Sequence, residues 1–245
     1  MFEGRRIDPR WLIIGAIVVV AVVLNAGSID LAKYVQIPIR FALIFPAIIL
    51  HEISHGYVAY LLGDPTAKRA GRLTLNPLKH IDPFGTIILP LILLISSGGA
   101  FFFGYAKPVP FNPRNFKNER TGMLLTGIAG PVTNVLLAVI FGLLVRLFPA
   151  TGPAWLATLF SLVVFFAEAN LVLAFFNLVP VPPLDGSRVL QWILPDSVRD
   201  VYHSFERYGF FVLIALTWLV PGAFDWYLSV TVFPIFAFIS GIRLG

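Results

Sequence analysis

The chain has 245 residues, 58% of them hydrophobic and only 13% charged. A soluble domain of this size carries about twice that share of charge, so the composition excludes an ordinary soluble enzyme and points to a multi-pass protein of the lipid bilayer. The net charge of +5 does not argue for a nucleic-acid partner, because the basic residues sit in short loops between apolar segments, as membrane topology requires.

The first apolar segment, 11–26, follows MFEGRRIDPR. No small-residue cleavage site comes after it, so it is expected to stay as a spanning helix rather than be removed. Further spans are expected at 37–62, 121–147, 154–178, 208–221 and 224–242. The apolar segment 84–103 is interrupted by Pro90, Ser96, Ser97, Gly98 and Gly99. It is expected to dip into the membrane and return. With a cytoplasmic N-terminus, that topology puts all of the 18 Lys and Arg except Lys33, Arg40 and Arg146 on the cytoplasmic side, together with both termini. A re-entrant segment survives only where protein or a wet cavity satisfies its backbone.

Between these segments, 63–83 carries Asp-Pro and Asn-Pro turn signals around the alternating run Arg72-Leu73-Thr74-Leu75, which predicts a short cytoplasmic strand or hairpin. Tyr105–Phe111 (YAKPVPF) reads as extended chain, since two prolines forbid a helix and suit an edge strand. The predicted fold is an all-α polytopic membrane protein. It has about six transmembrane helices, a re-entrant segment and a small cytoplasmic-side β-hairpin or sheet. It reads as one domain over 1–245, with its core at about 37–195 and additional helices at 1–36 and 196–245.

Inside the second span lies His51-Glu52-Ile53-Ser54-His55. Residues i and i+4 share a helix face, so both imidazoles can reach one metal ion with Glu52 beside them. Each ionisable group at membrane depth costs a few kcal/mol on insertion scales, and three in five residues need a purpose. Metal-assisted hydrolysis supplies one. With no Cys in the chain, any further ligand must be His, Asp or Glu. His80 and His203 lie in polar stretches away from membrane depth. Asp185 follows Asn177-Leu178-Val179-Pro180-Val181-Pro182-Pro183-Leu184, where prolines stop a helix and unwind the chain. It reads either as a carboxylate aimed at a metal or as the ordinary Asp of a turn.

Three motifs together resemble the site-2 protease family of intramembrane zinc metalloproteases. They are HEISH in an apolar helix, Gly130-Pro131-Val132-Thr133-Asn134, and Asn177 with Pro183-Leu184-Asp185-Gly186. Gly63-Asp64-Pro65-Thr66-Ala67, Asn76-Pro77 and Ala106-Lys107-Pro108-Val109-Pro110 resemble its small bacterial and archaeal members. The resemblance covers about 45–195. It implies one Zn2+ per chain held by His51, His55 and Asp185, with Glu52 as catalytic acid and base, and a transmembrane protein as substrate. It also implies that Asn134 and Asn177 orient a metal ligand, the substrate backbone or the developing oxyanion. Read without it, they are interhelical hydrogen-bonding groups. From His55 to Leu62 is about 10 Å along a helix, which sets the metal nearer the cytoplasmic face. The extended 105–111 segment reads as a docking edge for the substrate or as a plain connector. Glu168, also at membrane depth, reads equally as a gate or an acid supporting the site and as a partner of Arg146 near the outer face, and it is left outside the site. Two other readings use the same cluster: a divalent-metal transporter or sensor, and an inactive protease-like chaperone. Glu52 weighs against the transporter, which has no need of a non-liganding acid there.

Overall fold

The structure, a computed structural model, describes residues 31–96, 104–149, 152–205 and 222–242, with 208, 209, 212 and 219 between the last two stretches. The chain divides into two compact units, Met1–Phe45 with Asn76–Pro108, and Pro46–Leu75 with Val109–Gly245. Among the described residues four helices are long and apolar enough to cross a membrane: Arg40–Leu61, Glu119–Val145, Ala154–Asn177 and Ala223–Ser240. The expected span at 11–26 lies outside the described residues, as does most of 208–221.

In the first unit, Pro83–Ile88 forms a π-helical turn capped by Asp82, whose Oδ1 accepts from Gly85 N. It runs into a short helix, Leu89–Ser96. The chain comes back beside its own entry point. Tyr105 N donates to Gly85 O at 3.0 Å, Lys107 N to His80 O at 2.8 Å, and Thr86 Oγ1 to Tyr105 O at 2.8 Å. The tip of this segment, 97–103, lies outside the described residues.

The second unit holds the remaining long elements. Helix α1 (Leu31–Leu61) enters it at Pro46. Helices α2 (Thr66–Arg69), α4 (Glu119–Val145), α5 (Ala154–Asn177), α6 (Gly186–Ile193), α7 (Asp196–Phe205) and α8 (Ala223–Ser240) follow, with Leu89–Ser96 counted as α3. Helix α4 packs against α5, α6 and α8. Ala138, Ala167, Leu171, Val232 and Phe236 form the buried apolar core where α4, α5 and α8 meet. Arg146, just past α4, donates to the carbonyls of Phe238 and Ile239 at the end of α8. It satisfies acceptors that a helix C-terminus leaves open, and this, rather than Glu168, is where the structure sends it.

The predicted β-hairpin is corrected: among the described residues there is no strand. Asp64 turns the 63–83 loop instead into helical turns. Its Oδ1 accepts from Thr66 N and Oγ1 and starts α2, and Asn76 caps a 3₁₀ turn at Pro77–Lys79. The alternation at Arg72–Leu75 is four residues long and meets no second strand, so a ladder has nothing to form against. Residues 105–111 belong to neither helix nor strand.

Candidate metal centre

The HExxH residues occupy the last turns of α1, so the helix itself sets His51 and His55 on one face. Asp185 arrives from the other side through a run of tight turns after α5, in which Val181 N donates to Val179 O and Leu184 N to Val181 O. Gly186 closes that run. A Cβ there would drive into the Leu178 carbonyl, so only glycine permits the return. The outcome is a cluster of three buried side chains whose ligand atoms lie within 4.8 Å of one another. Asp185 Oδ2 is 3.1 Å from His51 Nε2 and 3.3 Å from His55 Nε2.

The protons around this cluster can be traced from the backbone. Phe166 O can only accept, so Asn170 turns its Nδ2 to it, at 2.8 Å, and its Oδ1 to Asn134. Asn134 then donates Nδ2 to Asn170 Oδ1 at 2.8 Å and offers Oδ1 to His51 Nδ1 at 2.5 Å. His51 Nδ1 is therefore the protonated nitrogen. His55 Nδ1 donates to the Thr126 carbonyl at 2.6 Å, which fixes its tautomer in the same way. In the neutral imidazole each Nε2 then faces Asp185 with a lone pair, so that two imidazole lone pairs and a carboxylate oxygen converge on one point. Three acceptors brought together and buried are a donor set for a cation, and two nitrogens with one oxygen suit zinc. Gly130 lines the same point. A Cβ there would sit 2.5 Å from both Nε2 atoms, so the glycine keeps the space open.

Around the cluster, Glu52 is partly exposed and its Oε2 accepts from Val109 N at 2.9 Å. Arg188 Nη1 lies 3.6 Å from Asp185 Oδ1, too long for a hydrogen bond. Its guanidinium stacks over Phe111 at 4.6 Å. Ser54 Oγ donates to His51 O, a local backbone bond rather than a reactive position. Asn177 donates Nδ2 to Leu173 O at 2.9 Å, within its own helix.

A profile of Peptidase family M50 matches residues 144–220, the stretch containing Asp185. Among curated proteins, "Putative zinc metalloprotease YwhC" of Bacillus subtilis is 47% identical over 171 residues, covering 68% of this chain and 74% of that protein. The chain belongs to peptidase family M50. "Putative zinc metalloprotease Rip2" of Mycolicibacterium smegmatis is 30% identical to this M50 chain over 180 residues, 73% of this chain and 65% of that protein. "Zinc metalloprotease MJ0392" of Methanocaldococcus jannaschii is 28% identical over 158 residues, 64% of this chain and 34% of that protein. No solved structure matches.

In this M50 protein the structure brings together four of the six residues singled out from the sequence: His51, His55, Asp185 and, against His51, Asn134. Glu52 sits beside them on α1, and Asn177 makes only its own-helix bond. From the sequence Gly130 and Val109 stood only within motifs, with no role of their own, and Asn170 and Arg188 were given none. Asn170 did carry a signal, as a fully buried amide in an apolar helix. The other three become legible only once α4 and the 109–111 segment are in place.

Proposed function

We propose that the chain is a zinc-dependent intramembrane endopeptidase that hydrolyses peptide bonds in or next to transmembrane segments of other proteins. The observation that carries this is the convergence of His51 Nε2, His55 Nε2 and Asp185 Oδ2 with Glu52 one residue away on the same helix. These three residues would hold one zinc ion, which when bound acidifies a water and polarises the scissile carbonyl. Glu52 takes the proton of the attacking water and returns it to the leaving amine. Asn134 acts through His51, keeping Nε2 free to bind metal, and Asn177 would offer its remaining carboxamide oxygen to a substrate backbone. Helices α1, α4, α5 and α8 seat the site in the bilayer, where a substrate helix must unwind before its carbonyl is reachable.

The test compares purified wild type with Glu52→Gln in detergent, reading zinc content and cleavage of a transmembrane reporter. Near one zinc per chain in both is expected, with cleavage lowered by about 10²-fold or more in the variant. A chain without zinc overturns the reading, as does equal cleavage by both proteins.

A further inference from the structure

The segment Val109–Asn115 lies along α1 rather than beside it by chance. Gly56 lets it approach: a Cβ there would sit 2.6 Å from Val109 Cγ1, 2.8 Å from Leu73 Cδ2 and 2.9 Å from Ala67 Cβ. Asp64, beyond the end of α1, holds the far end through Asn112 N and Asn115 Nδ2, each at 2.6 Å. Arg188 stacks on Phe111 between them. Val109 is thus buried and fixed on both sides, and its N–H is delivered to Glu52 Oε2 at 2.9 Å.

The sequence makes this donor singular. Pro108 and Pro110 have no N–H, so Val109 is the one amide donor of the tripeptide. Being followed by proline, it is held in the extended region that aims the N–H consistently. In an extended chain alternate residues face the same edge. The edge opposite Val109, occupied by Pro108 and Pro110, is stripped of donors, which blunts it for strand addition. A substrate strand therefore gains little from this tripeptide, whereas Glu52 gains a fixed partner.

We infer that Val109 is a positioning residue for Glu52. Its N–H holds one carboxylate oxygen and so presents the other, Oε1, in a single orientation to the water it must deprotonate. This rests on Glu52 being the base. A long acidic side chain otherwise samples several rotamers, only some of which reach the water. The two prolines ensure that no neighbouring amide competes and that the donor does not swing away.

Two substitutions separate the N–H from the side chain. Val109→Pro removes the donor, and Val109→Ala keeps the donor while trimming the packing. Val109→Pro is expected to keep zinc content and KM while kcat falls about tenfold or more, and Val109→Ala to stay within about threefold of wild type. Equal kcat for Val109→Pro and wild type overturns the inference, as does an equal loss in both variants. Hydrogen exchange on the full chain gives a second readout that does not depend on Val109→Pro folding. The prolines leave few exchanging amides in 107–111, and Glu52→Ala should speed exchange at Val109 specifically. Unchanged exchange there overturns the inference as well. Glu52→Gln, run alongside, keeps the two ideas apart. If it cleaves like wild type, the assignment of the base is wrong; if it is inactive while Val109→Pro is fully active, only the role of Val109 is.

Discussion

Two buried aspartates, Asp64 and Asp185, sit in the same unit of the chain and are treated in opposite ways. Asp64 is fully buried and accepts four hydrogen bonds from neutral donors: Thr66 N and Oγ1, Asn112 N and Asn115 Nδ2. Nothing more is needed to compensate its charge. Asp185 is nearly as buried, yet its Oδ2 faces two imidazole nitrogens whose protons are committed elsewhere. Burying a carboxylate is costly unless it is paired or hydrogen-bonded. A carboxylate satisfied by neutral donors is therefore structural, and one whose oxygen faces imidazole lone pairs, with only Arg188 at 3.6 Å on its other oxygen, is completed by a cation. Burial alone does not separate the two cases; the direction of the neighbouring protons does.

The contrast can be broken most directly by truncating each acid. Asp185→Ala and His51→Ala should lose zinc altogether and with it cleavage, read by metal analysis of purified protein; a normal zinc content would remove that residue from the ligand set. Gly130→Ala should come next, because its new methyl group occupies the point on which both Nε2 atoms converge. We expect zinc affinity to fall steeply in a competitive chelator titration while the helices stay intact by circular dichroism. Asn134→Ala leaves the ligands but frees the His51 tautomer, and about a 10–100-fold loss of affinity is expected.

Asp64→Ala should do the reverse. It strands four buried donors, so about 3 kcal/mol or more of stability should go in thermal unfolding, while the folded fraction keeps its zinc. The smallest effect is in pH. Burial pushes the Asp64 carboxyl up, but hydrogen bonds from Thr66, Asn112 and Asn115 outweigh it and hold the group below its ordinary 3.8. A lowered folded-state value means the stabilisation is present above pH 4 or so and fades as pH drops below that. Asp64→Asn should flatten stability against pH in that acid range only, and an unchanged slope would show that other carboxyls set it.

The long apolar helices and the shared face of His51 and His55 were legible because each is a local pattern: hydrophobic length in one case, i and i+4 spacing in the other. Asp185 was half legible. Prolines showed that the chain unwinds after Asn177, but not that the turn aims its carboxylate at the histidines. The β-hairpin was misread because alternation over Arg72–Leu75 is four residues long and meets no partner strand, while Asp64, eight residues earlier, bonds Thr66 at the start of a helical turn. The Arg146–Glu168 pairing failed for a related reason. A guanidinium just past a helix end is satisfied as well by two helix-end carbonyls as by an acid, and those carbonyls belong to α8, more than 90 residues away. Asn170 and Val109 were visible as residues but not as roles: a lone amide and a lone N–H declare a role only when the group they face is known.

The two histidines are steadied by different kinds of group. His51 leans on the carboxamide of Asn134, a side chain that substitution can alter or delete. His55 leans on the main-chain oxygen of Thr126, which every amino acid at that position would supply. Variation in sequence, natural or designed, can therefore adjust the basicity of one ligand by a single exchange but reaches the other only by shifting the whole of α4. An effort to retune this centre toward a different metal has one dial, at residue 134, and one fixed stop.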